Sequence, residues 1–408
     1  MHFYRSRFFA TLILLVMAMW LPMNSVAHDK DSDLPSATPE SERVDSAPLV
    51  AMSKWLRDDR HNIHSILIIK NGKLIYERYT DNLSRHANFE SYSVTKVISA
   101  LLLGKVMEQS GLSLATEIEP FLEQARPDLT SDWADKRGIN VGHLLCMSSG
   151  LGYEDNNYGN QIYFVAPDFF AHTAKAKPLK APGTEWNYND INPIYLSALF
   201  TQASGKTLPE LAESSFFDPM DMSHYVWGNG DKAGANSTGW GIRLRTIDLA
   251  KFGLLMLNQG RWNGRQLTPA NWISTMQSPC AIANFAGPGP LFRQAYVKSE
   301  PEYTTSGFKG QFLTVLPQSN TVIAVNGTFD IDPDENFFLN FVPQSSIDPN
   351  TQIYHLMLNK YILPAIHPTG HVESSATKRA ALHQELQAAL RSKGKPNISL
   401  DAPDIPQR

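Results

Sequence analysis

Two apolar runs joined by Asn71-Gly72, "SILIIKNGKLIYERY", constrain the fold most. Asn-Gly between such runs predicts a hairpin with a two-residue turn. Strand-like sequence then lapses and returns only after 290, in "FRQAYVKS" and "TTSGFKGQFLTVLPQSNTVIAVNGT". Between these ends, roughly 112–290, the chain reads as helices joined by Gly/Pro loops. One of them, "TIDLAKFGLLMLNQG", has Thr246 as its expected cap and Gly260 as its stop. This order predicts an α+β protein: an antiparallel sheet drawn from both chain ends, flanked by helices, with a mainly helical subdomain inserted. The late segment "NTQIYHLMLNKYILPAI" is expected to be a helix covering that sheet.

The N-terminus carries Arg5 and Arg7, a short apolar run from Phe8 to Leu21, and Ser25-Val26-Ala27 as a small-x-small cleavage site. Residues 1–27 therefore read as a secretory signal peptide, which makes the periplasm the expected location. Residues 28–48 are rich in Pro, Ser, Asp and Glu and read as a flexible leader. The expected folded domain spans 49–365, and 366–408 form a polar tail. Within the tail "ATKRAALHQELQAALRS" is expected to be an amphipathic helix, with the last residues disordered. No later segment is long and apolar enough to span a membrane after signal cleavage.

Of the 408 residues 42% are hydrophobic, enough for a sizeable core, and the formal net charge is −4. No basic stripe suggests a nucleic-acid partner. Cys146 and Cys280 are the only cysteines; in an exported chain they are either a disulfide or two buried thiols. His143 reads as a packing or capping residue. His61 and His64 flank the first strand without a His-Glu-x-x-His pattern, so no metal site and no cofactor are expected.

Chemistry concentrates in "ESYSVTKVISALLLGKVMEQSG". Ser93 and Lys96 stand three residues apart where an apolar helix begins, so they share a face. A serine there lies among unsatisfied N–H groups at the positive end of the helix dipole, which favours an oxyanion. An amine one turn on can take the hydroxyl proton if burial lowers its pKa. By itself Ser-x-x-Lys is common, and a helix-start serine with a solvated lysine is the bland alternative. A second stretch, "APGTEWNYNDINPIYLSALF", brings Tyr188, Asp190 and Asn192 to the start of another apolar helix. Tyr188 either relays protons or packs, with Asn189 or Asp190 capping the helix. A third, "SGFKGQFLTVLP", holds Gly307 and Gly310, which let a backbone or a substrate approach a strand closely or else mark a turn.

Together, and in this order, the three stretches resemble the serine β-lactamase and penicillin-binding-protein superfamily in its class C-like branch, whose Ser-x-x-Lys motif is known. That branch includes esterases and 6-aminohexanoate-dimer hydrolases. The likeness covers about residues 50–365 and includes "VGHLLCMSSGLGYE" and "GWGIRLRTIDLAKFGLLMLNQGRWNGRQLTPANWI". It implies a β-lactamase/transpeptidase-like fold. It also implies that Ser93 is the acylated nucleophile, Lys96 its proton acceptor, and Tyr188 the proton relay of the family's Tyr-x-Asn motif. The oxyanion would be held by the backbone N–H groups of Ser93 and of an edge-strand residue, here Gln311.

Two departures stand out. Asp190 takes the place of the motif's asparagine, and a carboxylate beside Lys96 tends to keep it protonated. Asp190 either points elsewhere, stays neutral, or orients substrate. Where β-lactamases carry Lys-Thr-Gly, Phe308-Lys309-Gly310 aligns, with a phenyl ring replacing the cation. Lys309 is one residue off, and alternate strand side chains point to opposite faces. The expectation is thus an exported serine hydrolase that cleaves a small-molecule ester, amide or peptide through a Ser93 acyl-enzyme. A penicillin-recognising or DD-peptidase-type acylating protein, or an inactive binding scaffold, are the rivals. Sequence leaves the oligomeric state open.

Overall fold

The computed structural model describes residues 34–155, 159, 161–163, 166–228, 230–282, 285–287, 293–297, 300–328 and 349–394. The expected signal peptide and the last residues of the tail lie outside them.

The hairpin forms as its turn chemistry dictates. Strands β1 (Ile63–Lys70) and β2 (Lys73–Tyr79) are joined by Asn71 at φ 53° and Gly72 at φ 76°, both left-handed. The C-terminal strands β3 (Arg293–Val297), β4 (Glu300–Gly307), β5 (Gln311–Leu316) and β6 (Thr321–Gly327) complete one six-stranded sheet. Its order is β3-β4-β5-β6-β1-β2, and each neighbouring pair is antiparallel. Both faces are covered, so alternate side chains of one strand enter different cores. Leu67 and Ile69 of β1 and Leu313 and Val315 of β5 join the large core under the helical middle. Ile66 and Ile68 join a second core with helix α1 (Ser46–Asp58) and the segment 354–366.

Three helices of the middle matter for the site: α2 (Thr95–Ser110), α3 (Ile191–Ser204) and α4 (Thr246–Leu257). Helix α2 has almost no polar face; twelve of its residues are buried. Its Gly104 leaves room for Trp272, whose indole N–H donates to the Ala100 carbonyl at 2.7 Å. Helix α4 lies on the sheet at Gly253, where a Cβ would come 2.4 Å from Val322. Thr246 does not cap α4. It is the first helical residue, and its hydroxyl meets that of Ser65 at 2.6 Å, while the chain does turn out through left-handed Gln259 and Gly260. Cys146 and Cys280 are disulfide-bonded, joining the helix Val141–Leu145 region to the start of the strand Cys280–Ile282.

Two expectations about the chain ends change. From Leu34 onward the leader is part of the fold, not a flexible segment. Ala37 donates to Leu74 O, Leu74 to Pro35 O, and Glu42 holds Asn71 and Lys73 at 2.8 and 2.7 Å. Its polar side chains bind the hairpin turn, which composition cannot reveal. The tail likewise contributes structure. Helix α5 (Ala376–Leu390) buries Leu382 and Ala389 and brings Glu385 to Ser53 and Arg57 of α1, at 3.1 and 2.9 Å. No helix of the described residues is long and apolar enough to cross a membrane.

Candidate active site

Ser93 lies in a single 3-10 turn, Tyr92–Val94, that runs directly into α2. The turn is held from both sides. The Ser91 N–H donates to Ile242 O at 2.8 Å and the Val94 N–H to Ser91 O at 3.0 Å. Tyr92, just before the serine, has φ 44°, a conformation that costs a bulky residue of order 1–3 kcal/mol. The Glu90 carboxylate offsets this by accepting from the Tyr92 N–H at 3.3 Å and the Gly241 N–H at 3.0 Å. Burial pushes the Glu90 carboxyl above its ordinary value, against these N–H groups and Arg243.

Three side chains from two segments then meet. Tyr188 Oη donates to Ser93 Oγ at 2.7 Å, and Lys96 Nζ reaches the same oxygen at 3.2 Å. Lys96 is 5% exposed. Its ammonium also meets Gly239 O at 3.1 Å and Asp190 Oδ1 at 2.7 Å, and it lies 5.0 Å from the centre of the Tyr188 ring. Burial works to lower the Lys96 pKa, but Asp190 and Tyr188 outweigh it and the net shift is upward. Burial raises the Tyr188 phenol, with the Lys96 charge opposing.

Asp190 therefore does not point elsewhere. It occupies the cap position of α3 but makes no cap bond; Asn189 Oδ1 accepts the Ile191 N–H instead, at 3.2 Å. Freed from capping, the carboxylate pairs with Lys96 through one oxygen and accepts from the Tyr163 hydroxyl through the other. Sequence alone does not mark Tyr163: it ends a single 3-10 turn, Gln161–Tyr163, and belongs to none of the motifs.

The third motif is displaced. Phe308, Lys309 and Gly310 do not lie on a strand. They form the β4–β5 turn, with Lys309 at φ 62° and Gly310 at φ 88°. Phe308 packs edge-on against Tyr92 at 5.2 Å, and Lys309 Nζ sits 5.7 Å from the Phe308 ring centre. Gln311 is not on the edge. It opens β5, inside β4, and its side chain donates to Phe308 O and Gly327 O and accepts from Asn326. The backbone that meets the Ser93 turn is Gly307 at the end of β4, beyond its pairing with β3. A Cβ there would come 2.5 Å from Ser91 O and 3.3 Å from Ser93 N. Thr305, two residues back and buried, shares that face of the strand, since Thr304 bonds Thr314 on the other. The residues standing where Lys-Thr-Gly would are thus Thr305-Ser306-Gly307, and no cation is among them.

Gly307→Ala should lower kcat/KM by on the order of 10²-fold, because the added methyl pushes the edge backbone away from the Ser93 N–H. Steady-state kinetics beside a thermal melt will separate this from unfolding; activity within twofold of wild type would show that the approach is not needed.

His143 caps its helix, in a reciprocal box with Asn140. His64 bonds Asp81 and Thr328. Among the described residues no cluster of three or more His, Cys, Asp or Glu side chains could hold a metal.

This serine, lysine and tyrosine set lies on an antiparallel sheet with a helical middle, the architecture of the β-lactamase fold. The sequence profile of the Beta-lactamase family matches residues 58–336, and the chain belongs to that family. It is 24% identical over 213 residues to esterase EstB of Burkholderia gladioli, covering 46% of this chain and 54% of that protein. It is 25% identical over 219 residues to a beta-lactamase of Pseudomonas fluorescens, covering 46% and 58%. The chain thus spans little more than half the length of these curated relatives. Its fold matches a protein provisionally named a 6-aminohexanoate-dimer hydrolase, from Bacillus anthracis, with TM-score 0.62 and 19% identity over 83% of this chain and 88% of that one. It also matches the octameric penicillin-binding protein homologue of Pyrococcus abyssi, with TM-score 0.57 and 18% identity over 78% of each.

Proposed function

We propose that the protein is an exported serine hydrolase that cleaves an ester or amide through a Ser93 acyl-enzyme. The observation that carries this is the convergence of Tyr188 Oη and Lys96 Nζ on Ser93 Oγ, at 2.7 and 3.2 Å. Ser93 attacks the carbonyl, and its proton leaves through Lys96. The oxyanion is held by the Ser93 N–H and by the backbone where β4 ends, at Gly307 and the first turn residue Phe308. Tyr188 passes a proton to the departing alcohol or amine, and water then releases the acyl group. Such proton transfers contribute on the order of 10²–10⁴-fold, and each oxyanion donor on the order of 10²–10³-fold. The esterase relative and the hydrolase fold neighbours favour this reading. Rapid labelling of the purified protein by a fluorophosphonate probe tests it; a chain that takes no label is a scaffold.

The β-lactamase relative supports a second reading, turnover of β-lactams. A β-lactam or D-alanyl peptide brings a carboxylate to the strand that carries Lys-Thr-Gly in β-lactamases. Thr305 stands there without charge, and a desolvated carboxylate lacking a cationic partner costs free energy. We therefore expect a neutral substrate. A short-chain p-nitrophenyl ester should be hydrolysed with a kcat/KM on the order of 10²-fold above that of a chromogenic cephalosporin, as one lost charge-assisted pair allows. Thr305→Lys should narrow the gap. Efficient cephalosporin turnover by the wild type would reject the neutral-substrate reading.

A further inference from the structure

Asp190 turns the family's lysine into half of a buried ion pair, which poses a problem for catalysis. Both side chains are 5% exposed, and Nζ and Oδ1 are 2.7 Å apart. An ammonium has three donors and no acceptor. Here Gly239 O and Ser93 Oγ accept two of them, and the Asp190 Oδ1 charge lies 2.7 Å from Nζ. In that state Lys96 cannot take a proton from Ser93.

We infer that Asp190 is a positioning residue of the site, the reservoir into which Lys96 discharges a proton so that it can accept the one from Ser93. This rests on the acyl-enzyme reading above. The step balances. One Nζ–H proton moves to Asp190 Oδ1, leaving a neutral amine. Its lone pair takes the Ser93 Oγ proton as Oγ bonds to the carbonyl carbon and the carbonyl π pair moves onto oxygen. Negative charge passes from Asp190 to the oxyanion, and Lys96 is an ammonium again. On collapse Tyr188 gives its proton to the leaving group, Lys96 replaces it, and Asp190 returns its proton to Lys96.

The surroundings fit that role. Among the described residues Oδ1 accepts no hydrogen bond and has Lys96 Nζ 2.7 Å away, so a lone pair is open to the proton. In a desolvated pocket two charges are expensive, which brings the neutral pair closer in energy to the ion pair than it is in water. The Tyr163 hydroxyl donates to the other oxygen, a bond that only the carboxylate's acceptor oxygens can take. Burial, and then Asp190 itself, push the Tyr163 phenol well above its ordinary value, so it stays a donor. Trp240 packs on the Tyr163 ring at 5.3 Å. Among the described residues no other charged group forms an ion pair with Lys96 or Asp190. The nearby Glu90 carboxylate is turned to the Tyr92 and Gly241 N–H groups and Arg243.

The test is the pH dependence of fluorophosphonate labelling and of ester kcat/KM, in the full chain and in Asp190→Asn. Asparagine is near-isosteric and is the usual residue of the family motif. Without the reservoir, Lys96 must be neutral before it can act. The expected result is an acid limb moved up by at least about one pH unit. The variant at pH 6 should therefore lose at least about ten times more activity than at pH 9. A uniform loss across this range would mark Asp190 as structural, and a loss confined to high pH would mark it as a lock on the ammonium; either overturns the inference. Tyr163→Phe is the second arm, and the deciding one if Asp190→Asn does not fold. Its carboxylate takes up a proton sooner, so its acid limb should move up by a smaller amount; an unmoved limb overturns the inference. A wild type that neither labels nor hydrolyses would instead refute the acyl-enzyme reading itself.

Discussion

Ser93→Ala should abolish both hydrolysis and fluorophosphonate labelling, leaving less than about 10⁻⁴ of wild-type kcat/KM. The side chain bears the hydroxyl that Tyr188 and Lys96 both approach, and an alanine cannot form the acyl bond. Intact mass after probe treatment is the cleanest readout. Wild type should gain one adduct and the variant none. An adduct on the Ala variant would show that another residue is the nucleophile. Thermal stability should change little, because the hydroxyl supports none of the bonds that hold the turn, which are made by Ser91, Val94 and Glu90.

Tyr188→Phe should lower kcat by on the order of 10²–10⁴-fold while leaving the fold intact. The phenyl ring keeps its packing beside Lys96 and loses only the hydroxyl 2.7 Å from Ser93 Oγ. Poor leaving groups should suffer most, because they need the proton that Tyr188 delivers. An activated p-nitrophenyl ester should therefore lose less than an anilide. Equal losses on the two would point to a role in activating Ser93, and no loss on either would return Tyr188 to packing.

How legible the molecule was varies along the chain for physical reasons. The Asn71-Gly72 turn needs two left-handed residues, and few other dipeptides provide them, so the hairpin is written locally. Ser93 and Lys96 lie one turn apart on one segment, so their proximity is also local. Tyr188 lies 95 residues from Ser93, and its contact depends on how α3 packs against α2. Only its likeness to a known motif marked it out. The third motif shows the limit of pattern reading. Phe308-Lys309-Gly310 and Thr305-Ser306-Gly307 each end in glycine, and strand register decides which one faces the serine.

By itself the sequence determined the class of fold, through strands at both ends of the chain around a helical middle, and the Ser93–Lys96 unit at a helix start. Those features rest on turn chemistry and periodicity, which act over a few residues. Tertiary structure alone decided where Asp190 points, because its alternatives, capping α3 or pairing with Lys96, are equally available to the isolated segment. Asn189 took the cap, and the buried ammonium of Lys96 drew the carboxylate inward, since a desolvated charge is stable only beside its opposite.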